Sequence, residues 1–475
     1  MNKEVINKKE NVLIVGAGVA GQELSEEIKR HLNNHYEVVG FLDDNKKLEG
    51  RKVGSIEVLG KISFLSKLVQ KYRVSQVFIA IPSAQGSLIR DVIKSCEKER
   101  VVFKIVPRIL EIIEGKVKLS KVKEIEVEDL LGRAIIKSDQ RLFKKEFKDK
   151  TVLVTGAAGS IGSEICRQIL GFFPKKLIAL DFWESGLYNL ELDLLEISNK
   201  ELFECVVANI QDYERVKGIV DKEKPDIIFH AAAYKHVPLM QKYPYEAVEN
   251  NVFGTENMAK AATNGGVEKF VNISTDKAVD PSSVMGATKL LAEFISNYYN
   301  KKGKTKFCSV RFGNVLGSQG SIVPTFKKQI AKGGPVTVTS KRMTRFFMTI
   351  PEAVQLVLNA SLFVKEGGEI FMLDMGEPVN IDGLARLMIR LAGLVPGVDI
   401  QIEYSGIRPG EKIAEKLITE TENVQKTLNK RIFLVEGNAE NLSVNNILDK
   451  LRKLVLKEDN RGIMNVLKDV APNIK

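Results

Sequence analysis

The sequence predicts an α/β protein with two doubly wound parallel sheets, and three observations carry that prediction. Two segments open alike: a short β-branched run, a glycine turn, then apolar residues at helical spacing. Behind each opening, short apolar runs alternate with helical stretches, the pattern of βαβ units whose sheet is covered on both faces. The 475 residues are enough for two large domains or about three of ordinary size.

The first opening is Asn11-Val-Leu-Ile-Val-Gly16-Ala-Gly18-Val-Ala-Gly21, followed by a helical pattern through Leu32. Strands are expected next at Val38 to Asp44, Gln76 to Ile81 and Val101 to Val106. The stretch from Glu111 to Lys150 is charged and weakly patterned, which predicts a linker over 121–149. The second opening is Thr151-Val-Leu-Val-Thr-Gly156-Ala-Ala-Gly159-Ser-Ile-Gly162, with a helical pattern through Leu170. Strands are expected after it at Lys176 to Asp181, Phe203 to Ala208, Asp226 to His230, Lys269 to Ser274 and Phe307 to Arg311. The expected domains are therefore two Rossmann-like units, 1–120 and 150–475.

Hydrophobic residues make up 44% and charged residues 28%, which excludes a disordered or fibrous chain. Apolar stretches such as Val12 to Ala20 fall short of the ~18 residues a membrane span needs, and no signal-peptide order opens the chain. Cys96, Cys166, Cys205 and Cys308 are scattered without a CxxC pair, so neither a disulfide framework nor a metal site is expected. A reducing cytoplasm is the expected location. The net charge of +11 comes from lysines spread along the chain. The densest run, Lys137 to Lys150, is broken by Asp139, Glu146 and Asp149, and no aromatic-interleaved basic stripe appears, so no nucleic-acid partner is expected. Positive potential does suit an acidic substrate such as a nucleotide diphosphate.

A glycine turn between strand and helix lets backbone amides and the helix N-terminus meet a pyrophosphate. Gly16, Gly18 and Gly21 fit GxGxxG, with Asp43 placed as a ribose-binding acid. Gly156, Gly159 and Gly162 fit GxxGxxG, with Asp181 in the same role. An acid there favours NAD over NADP, because its charge repels a 2′-phosphate. A tight turn without a ligand has the same pattern, and at the first turn both readings stay open. At the second, chemistry follows along the sheet. The strand ending at Ser274 runs into Thr275-Asp276-Lys277, beyond the carboxyl edge where ligands of such sheets bind. The alternative is a capping turn, since all three residues before Lys277 are good N-caps. Lys289 then opens an amphipathic helix.

GxxGxxG after a strand, a Ser-ended strand and a lysine on the next helix resemble the extended short-chain dehydrogenase/reductases. Those enzymes usually carry Tyr-x-x-x-Lys, where this chain has Met285-Gly-Ala-Thr-Lys289. That departure, with Glu128-Asp-Leu-Leu-Gly-Arg133, His230-Ala-Ala-Ala-Tyr-Lys-His, Ser274-Thr-Asp-Lys-Ala-Val279, Arg311-Phe-Gly-Asn-Val-Leu-Gly-Ser318, Met343-Thr-Arg-Phe-Phe-Met348 and Arg408-Pro-Gly-Glu-Lys412, resembles the large nucleotide-sugar 4,6-dehydratases of bacterial polysaccharide and glycan biosynthesis. The resemblance covers nearly the whole chain. It implies a catalytic domain with a smaller C-terminal substrate-binding part, NAD as cofactor, a UDP-sugar substrate (UDP-N-acetylglucosamine first among them) and a homo-oligomer. Many members carry N-terminal membrane helices, so this chain is expected to be soluble in the cytoplasm or the cytoplasmic part of an anchored form.

The implied reaction is redox-neutral: C4 is oxidised, water is lost across C5 and C6, and the hydride returns to C6. By motif position, Lys277 is the base at C5 and Asp276 the acid for the 6-hydroxyl. Thr275 bonds the C4 oxygen, Lys289 binds the nicotinamide ribose, and, with Met285 unable to take the C4 hydroxyl proton, Thr275 with a water or Asp276 itself is left as the base there. The cofactor would lie on Gly156, Gly159, Ser160, Ile161, Gly162 and Asp181. Asn209 and Ile210 would lie at its adenine, with Ala231, Ala232, Ala233 and Ser274 along the strand ends. Lys235, Met285, Asn314, Ser318, Pro324, Phe326, Arg345, Arg408 and Glu411 are the expected substrate contacts, the two arginines at the diphosphate and Glu411 at the ribose. Tyr234 and His236 are expected to pack the loop. A 4-epimerase of the same fold and a non-catalytic nucleotide sensor remain as alternatives.

Overall fold

The computed structural model describes residues 9–106, 122–131, 140–436 and 443–474. The first sheet contains β1 (Glu10–Val15), β2 (Tyr36–Leu42), β3 (Lys52–Val53), β4 (Ile56–Gly60), β5 (Gln76–Ile79), β6 (Val102–Ile105) and β7 (Lys123–Glu124). Their spatial order is β3-β4-β2-β1-β5-β6-β7. The middle of the sheet is parallel, and β3 and β7 add antiparallel edges.

The second sheet contains β8 (Thr151–Thr155), β9 (Lys176–Asp181), β10 (Phe203–Val207), β11 (Ile227–His230), β12 (Lys269–Ile273) and β13 (Lys306–Arg311), ordered β10-β9-β8-β11-β12-β13. Strand Glu369–Leu373 continues it in parallel. Ile432–Glu436 and Asn423–Lys426 close it antiparallel. The chain reverses direction of growth between β8 and β11, the crevice where such sheets bind ligands. Every residue of β8 is buried, as a central parallel strand requires. Val152 and Val154 face Ile165 and Ile169 on one side, while Leu153 faces Val216 and Phe270 on the other. Toward the carboxyl edge that second face turns polar, with Thr155, His230, Asn272 and Ser309 all buried. The polar row supplies the floor of the site.

Two expectations change. The described residues divide into a unit drawn from Met1–Ala134, Gly320–Lys341 and Asn380–Ser405 and one drawn from Ile135–Gln319, Arg342–Val379 and Gly406–Lys475. The span 150–475 is therefore not one contiguous domain. In the first unit, Leu387 and Leu391 of helix Ile381–Leu391 pack on the core around Val92, Ile93 and Phe103, and the Arg390 guanidinium donates to the Glu99 carbonyl at 3.0 Å. Helical periodicity reveals an apolar face but not which core it meets.

The expected linker, 121–149, is also structured where described. It holds β7, helix Val127–Leu131 and helix Gln140–Phe147. Phe143 and Phe147, one turn apart, are buried against Phe172, and Phe147 also meets Phe229. Four lysines and two acids nearby hide this apolar pair in the composition. Residues 121 and 132–139, including Gly132 and Arg133 of the sequence motif, lie outside the described residues. No described helix is long and apolar enough to cross a membrane.

Candidate active site

The second glycine turn is shaped by its missing side chains. Gly156 has φ +66°, and a Cβ there would lie 2.6 Å from the Ala232 amide nitrogen. A Cβ on Gly162 would lie 2.1 Å from the Gly156 carbonyl oxygen. Ala231 and Ala232 thus run hard against the turn, and Gly159 caps helix Ser160–Leu170, on which Ser160 and Ile161 occupy the first turn. Asp181 ends β9 and accepts from the Ala158 amide at 3.0 Å and the Trp183 amide at 3.0 Å. Each carboxylate oxygen keeps a lone pair for a ribose hydroxyl. Asn209 is exposed and Ile210 buried where β10 ends. The residues present fit a dinucleotide. The first turn repeats the construction: Asp43 accepts from the Ala17 amide at 2.8 Å, and a Cβ on Gly21 would meet the Gly16 carbonyl at 2.0 Å.

Below that turn, His230 bridges Thr155 (2.8 Å) and Thr255 (3.0 Å). Burial, aided by Lys289, pushes its pKa down to about 3, so the ring is neutral. Lys289 is itself buried, and desolvation lowers its pKa to about 8 against the opposing pull of Glu293.

Thr275, Asp276 and Lys277 do cap a turn: Thr275 accepts from the Lys277 amide at 3.4 Å. They also form a compact polar cluster. Asp276 is 1% exposed. Its Oδ1 accepts from Thr275 Oγ1 at 2.9 Å and from Lys277 Nζ at 2.8 Å, while its buried Oδ2 has no hydrogen-bond partner among the described residues. Gly313 makes room for that oxygen, since a Cβ there would stand 3.1 Å from it. Lys277 Nζ donates a second bond to Asn314 Oδ1 at 3.0 Å.

Lys277, Asn314, Lys235, Arg345 and Glu411 line one cavity. Burial lowers the Lys235 pKa. His236 lines the cavity too, its pKa lowered by burial and by Lys235. The other expected contacts lie elsewhere. Met285 is packed in the core beside Val284 and Leu291. Ser274 gives its hydroxyl to Glu293 at 2.5 Å. Ser318 is buried outside the cavity lining, and Arg408 is exposed. Pro324 and Phe326 lie on helix Ile322–Ala331 of the first unit, Phe326 in its interior. Arg345 reaches the cavity, but its guanidinium is spent on backbone: Nη1 donates to Thr344 and Ile413 and Nη2 to Lys412, at 2.7, 3.1 and 2.8 Å. It holds the chain of the Arg408–Lys412 motif in place.

Two charged residues of the cavity were not singled out by the sequence. Lys412 donates to the Val279 carbonyl at 2.9 Å, and burial lowers its pKa. Glu415 stands 3.9 Å from both Arg345 and Lys412, and its buried Oε2 has no hydrogen-bond partner among the described residues. Lys412 lay inside a quoted motif. Glu415 follows it by three residues with no local signature.

The polysaccharide biosynthesis protein family matches residues 152–437, and a CoA-binding domain family matches 2–107. The capsular polysaccharide biosynthesis protein CapD of Staphylococcus aureus is 45% identical over 90% of this chain and 71% of its own length. A UDP-glucose 4-epimerase of Rickettsia bellii is 35% identical over 58% of this chain and 80% of its own. An inverting UDP-N-acetylglucosamine 4,6-dehydratase of Campylobacter jejuni is 34% identical over 58% of this chain and 78% of its own.

Proposed function

Because the chain belongs to the polysaccharide biosynthesis protein family, we propose that it dehydrates a UDP-sugar across C5 and C6, with UDP-N-acetylglucosamine the first substrate to test. The observation that carries the proposal is the Asp276–Lys277 pair: one carboxylate oxygen lies 2.8 Å from the ammonium of Lys277, which lines the cavity, and the other is buried without a hydrogen-bond partner among the described residues. Moving one proton from Lys277 Nζ to Asp276 leaves an amine and a carboxylic acid. Those are the states needed to take a proton from C5 and deliver one to the departing 6-hydroxyl. Asn314 would hold the lysine toward the cavity through this exchange, and Thr275 would bond the C4 oxygen and pass its hydroxyl proton to a water. NAD, held on Gly156 to Gly162 and Asp181, would supply the hydride acceptor and donor. Lys289 would bind its ribose and contribute positive charge beside it. Lys235 and Lys412 offer ammonium groups to the diphosphate, and Glu411 and Glu415 offer acceptors to sugar or ribose hydroxyls.

The similarity to a named epimerase supports a second reading, 4-epimerisation. The Asp276–Lys277 pair weighs against it, since epimerisation needs no acid or base at C5 and C6, whereas Met285 removes the C4 tyrosine from both readings alike. Incubation with UDP-N-acetylglucosamine in deuterated water separates the two. A product lighter by one water and carrying deuterium at C5 is expected. Unchanged mass with inverted C4 would replace dehydration by epimerisation. Bound NAD with no turnover of any UDP-sugar would leave a sensor.

A further inference from the structure

We propose that Glu293 is a positioning residue of the active site, fixing the reacting segment Ser274 to Lys277 against the helix that carries Lys289. It sits one turn beyond Lys289 on helix Val284–Asn300, with its side chain 1% exposed. Its Oε1 accepts from Ser274 Oγ at 2.5 Å and from Arg311 Nε at 2.9 Å, and its Oε2 accepts from Arg311 Nη2 at 2.7 Å. Arg311, at the end of β13, passes the connection to Glu422 at 2.6 Å, whose other oxygen accepts from the Thr419 amide at 2.8 Å. One carboxylate thus joins the end of β12, the end of β13, the Lys289 helix and a C-terminal loop.

A purely structural ion pair needs none of this convergence. Two buried charges gain little over an apolar pair of equal volume. What the arrangement does provide is fixed distances among groups that must act in sequence, where a misplacement of about 1 Å costs on the order of 10²-fold. It also places the anion that faces Lys289. Among the described residues, the other titratable group that interacts with that lysine is His230 on β11, which is neutral. Arg311 is held between two carboxylates, and its pKa is raised by them. Removing the Glu293 charge therefore lowers the Lys289 pKa further below its present value of about 8.

The inference rests on C4 oxidation occurring at this site, a step that dehydration and epimerisation share. The readout is the absorbance of reduced nicotinamide in a single-turnover mix of NAD-loaded enzyme and UDP-N-acetylglucosamine, followed across pH. In Glu293→Gln we expect the transient to form about 10- to 100-fold more slowly, with its alkaline limb moved to lower pH and the substrate KM little changed. Wild-type speed with an unmoved limb in the folded variant overturns the proposal. If Glu293→Gln does not fold, Ser274→Ala removes the contact to the reacting segment alone. It should slow the transient without moving the limb, and a wild-type rate there is equally fatal. If the wild type binds NAD but never reduces it, the enzymatic function fails instead. The pH midpoint of NAD affinity, compared between wild type and Glu293→Gln, then still decides the role of Glu293.

Discussion

Lys289 carries the sharpest conflict between burial and charge in the site. Burial holds its folded pKa at about 8, below the ordinary lysine value of 10.5. Between those values the unfolded chain holds a proton that the folded chain has released, so this group makes stability rise with pH across that window. Below about pH 8 both states are protonated and the full cost of burying the ammonium remains, roughly 3 kcal/mol. Lys289→Met should therefore stabilise the cofactor-free protein at neutral pH by up to that amount while abolishing turnover. Denaturant melts with and without the substitution check it, and a less stable variant would mean the ammonium has partners that offset its burial. Lys277→Met and Asp276→Asn act on later steps. Each should leave NAD bound and cut turnover by ~10²–10⁴-fold, the lysine change also abolishing C5 deuterium exchange. Near-normal turnover in a folded variant returns Thr275 to Lys277 to a mere cap. These residues were legible because a contiguous stretch carries them to one strand end. The backbone role of Arg345 was not, because its partners lie 67 and 68 residues away.

The glycine turn is the element on which the cofactor assignment depends. Gly162→Ala puts a methyl 2.1 Å from a carbonyl oxygen that cannot move without opening the turn. It should abolish NAD binding in a calorimetric titration. Gly159→Ala meets that same oxygen at 3.2 Å, a contact relieved by a few tenths of an ångström, and should weaken NAD binding only modestly. Equal effects would place the dinucleotide elsewhere. Both openings, and the strands after them, could be read from sequence because buried parallel strands are unbroken apolar runs. Helix Gln140–Phe147 escaped for the opposite reason: only Phe143 and Phe147 are buried in it, and lysines surround them. The antiparallel pair Asn423–Lys426 and Ile432–Glu436 was missed as well, its first strand being exposed at every position.

At the scale of the whole chain, the sequence reads residues 1–120 as a unit without catalytic residues, whose deletion leaves some turnover if the remaining fold survives. The composition of the first unit argues otherwise. Helix Ile381–Leu391 belongs to the core of that unit, packed on helix Gly86–Ser95 and β6. Its Leu387 and Leu391 lose their partners on deletion, Arg390 loses the Glu99 carbonyl, and Asp399 loses its 2.7 Å ion pair with Arg100. Leu387 and Leu391 are left without the core that covers them, a condition that favours aggregation. A chain beginning at residue 121 should therefore elute as aggregate in size-exclusion chromatography with light scattering, or melt well below the full chain. It should do so even though no residue of the Asp276–Lys277 cavity has been removed. A monodisperse remainder that binds NAD and turns over a UDP-sugar would show that helix Ile381–Leu391 can stand without its core.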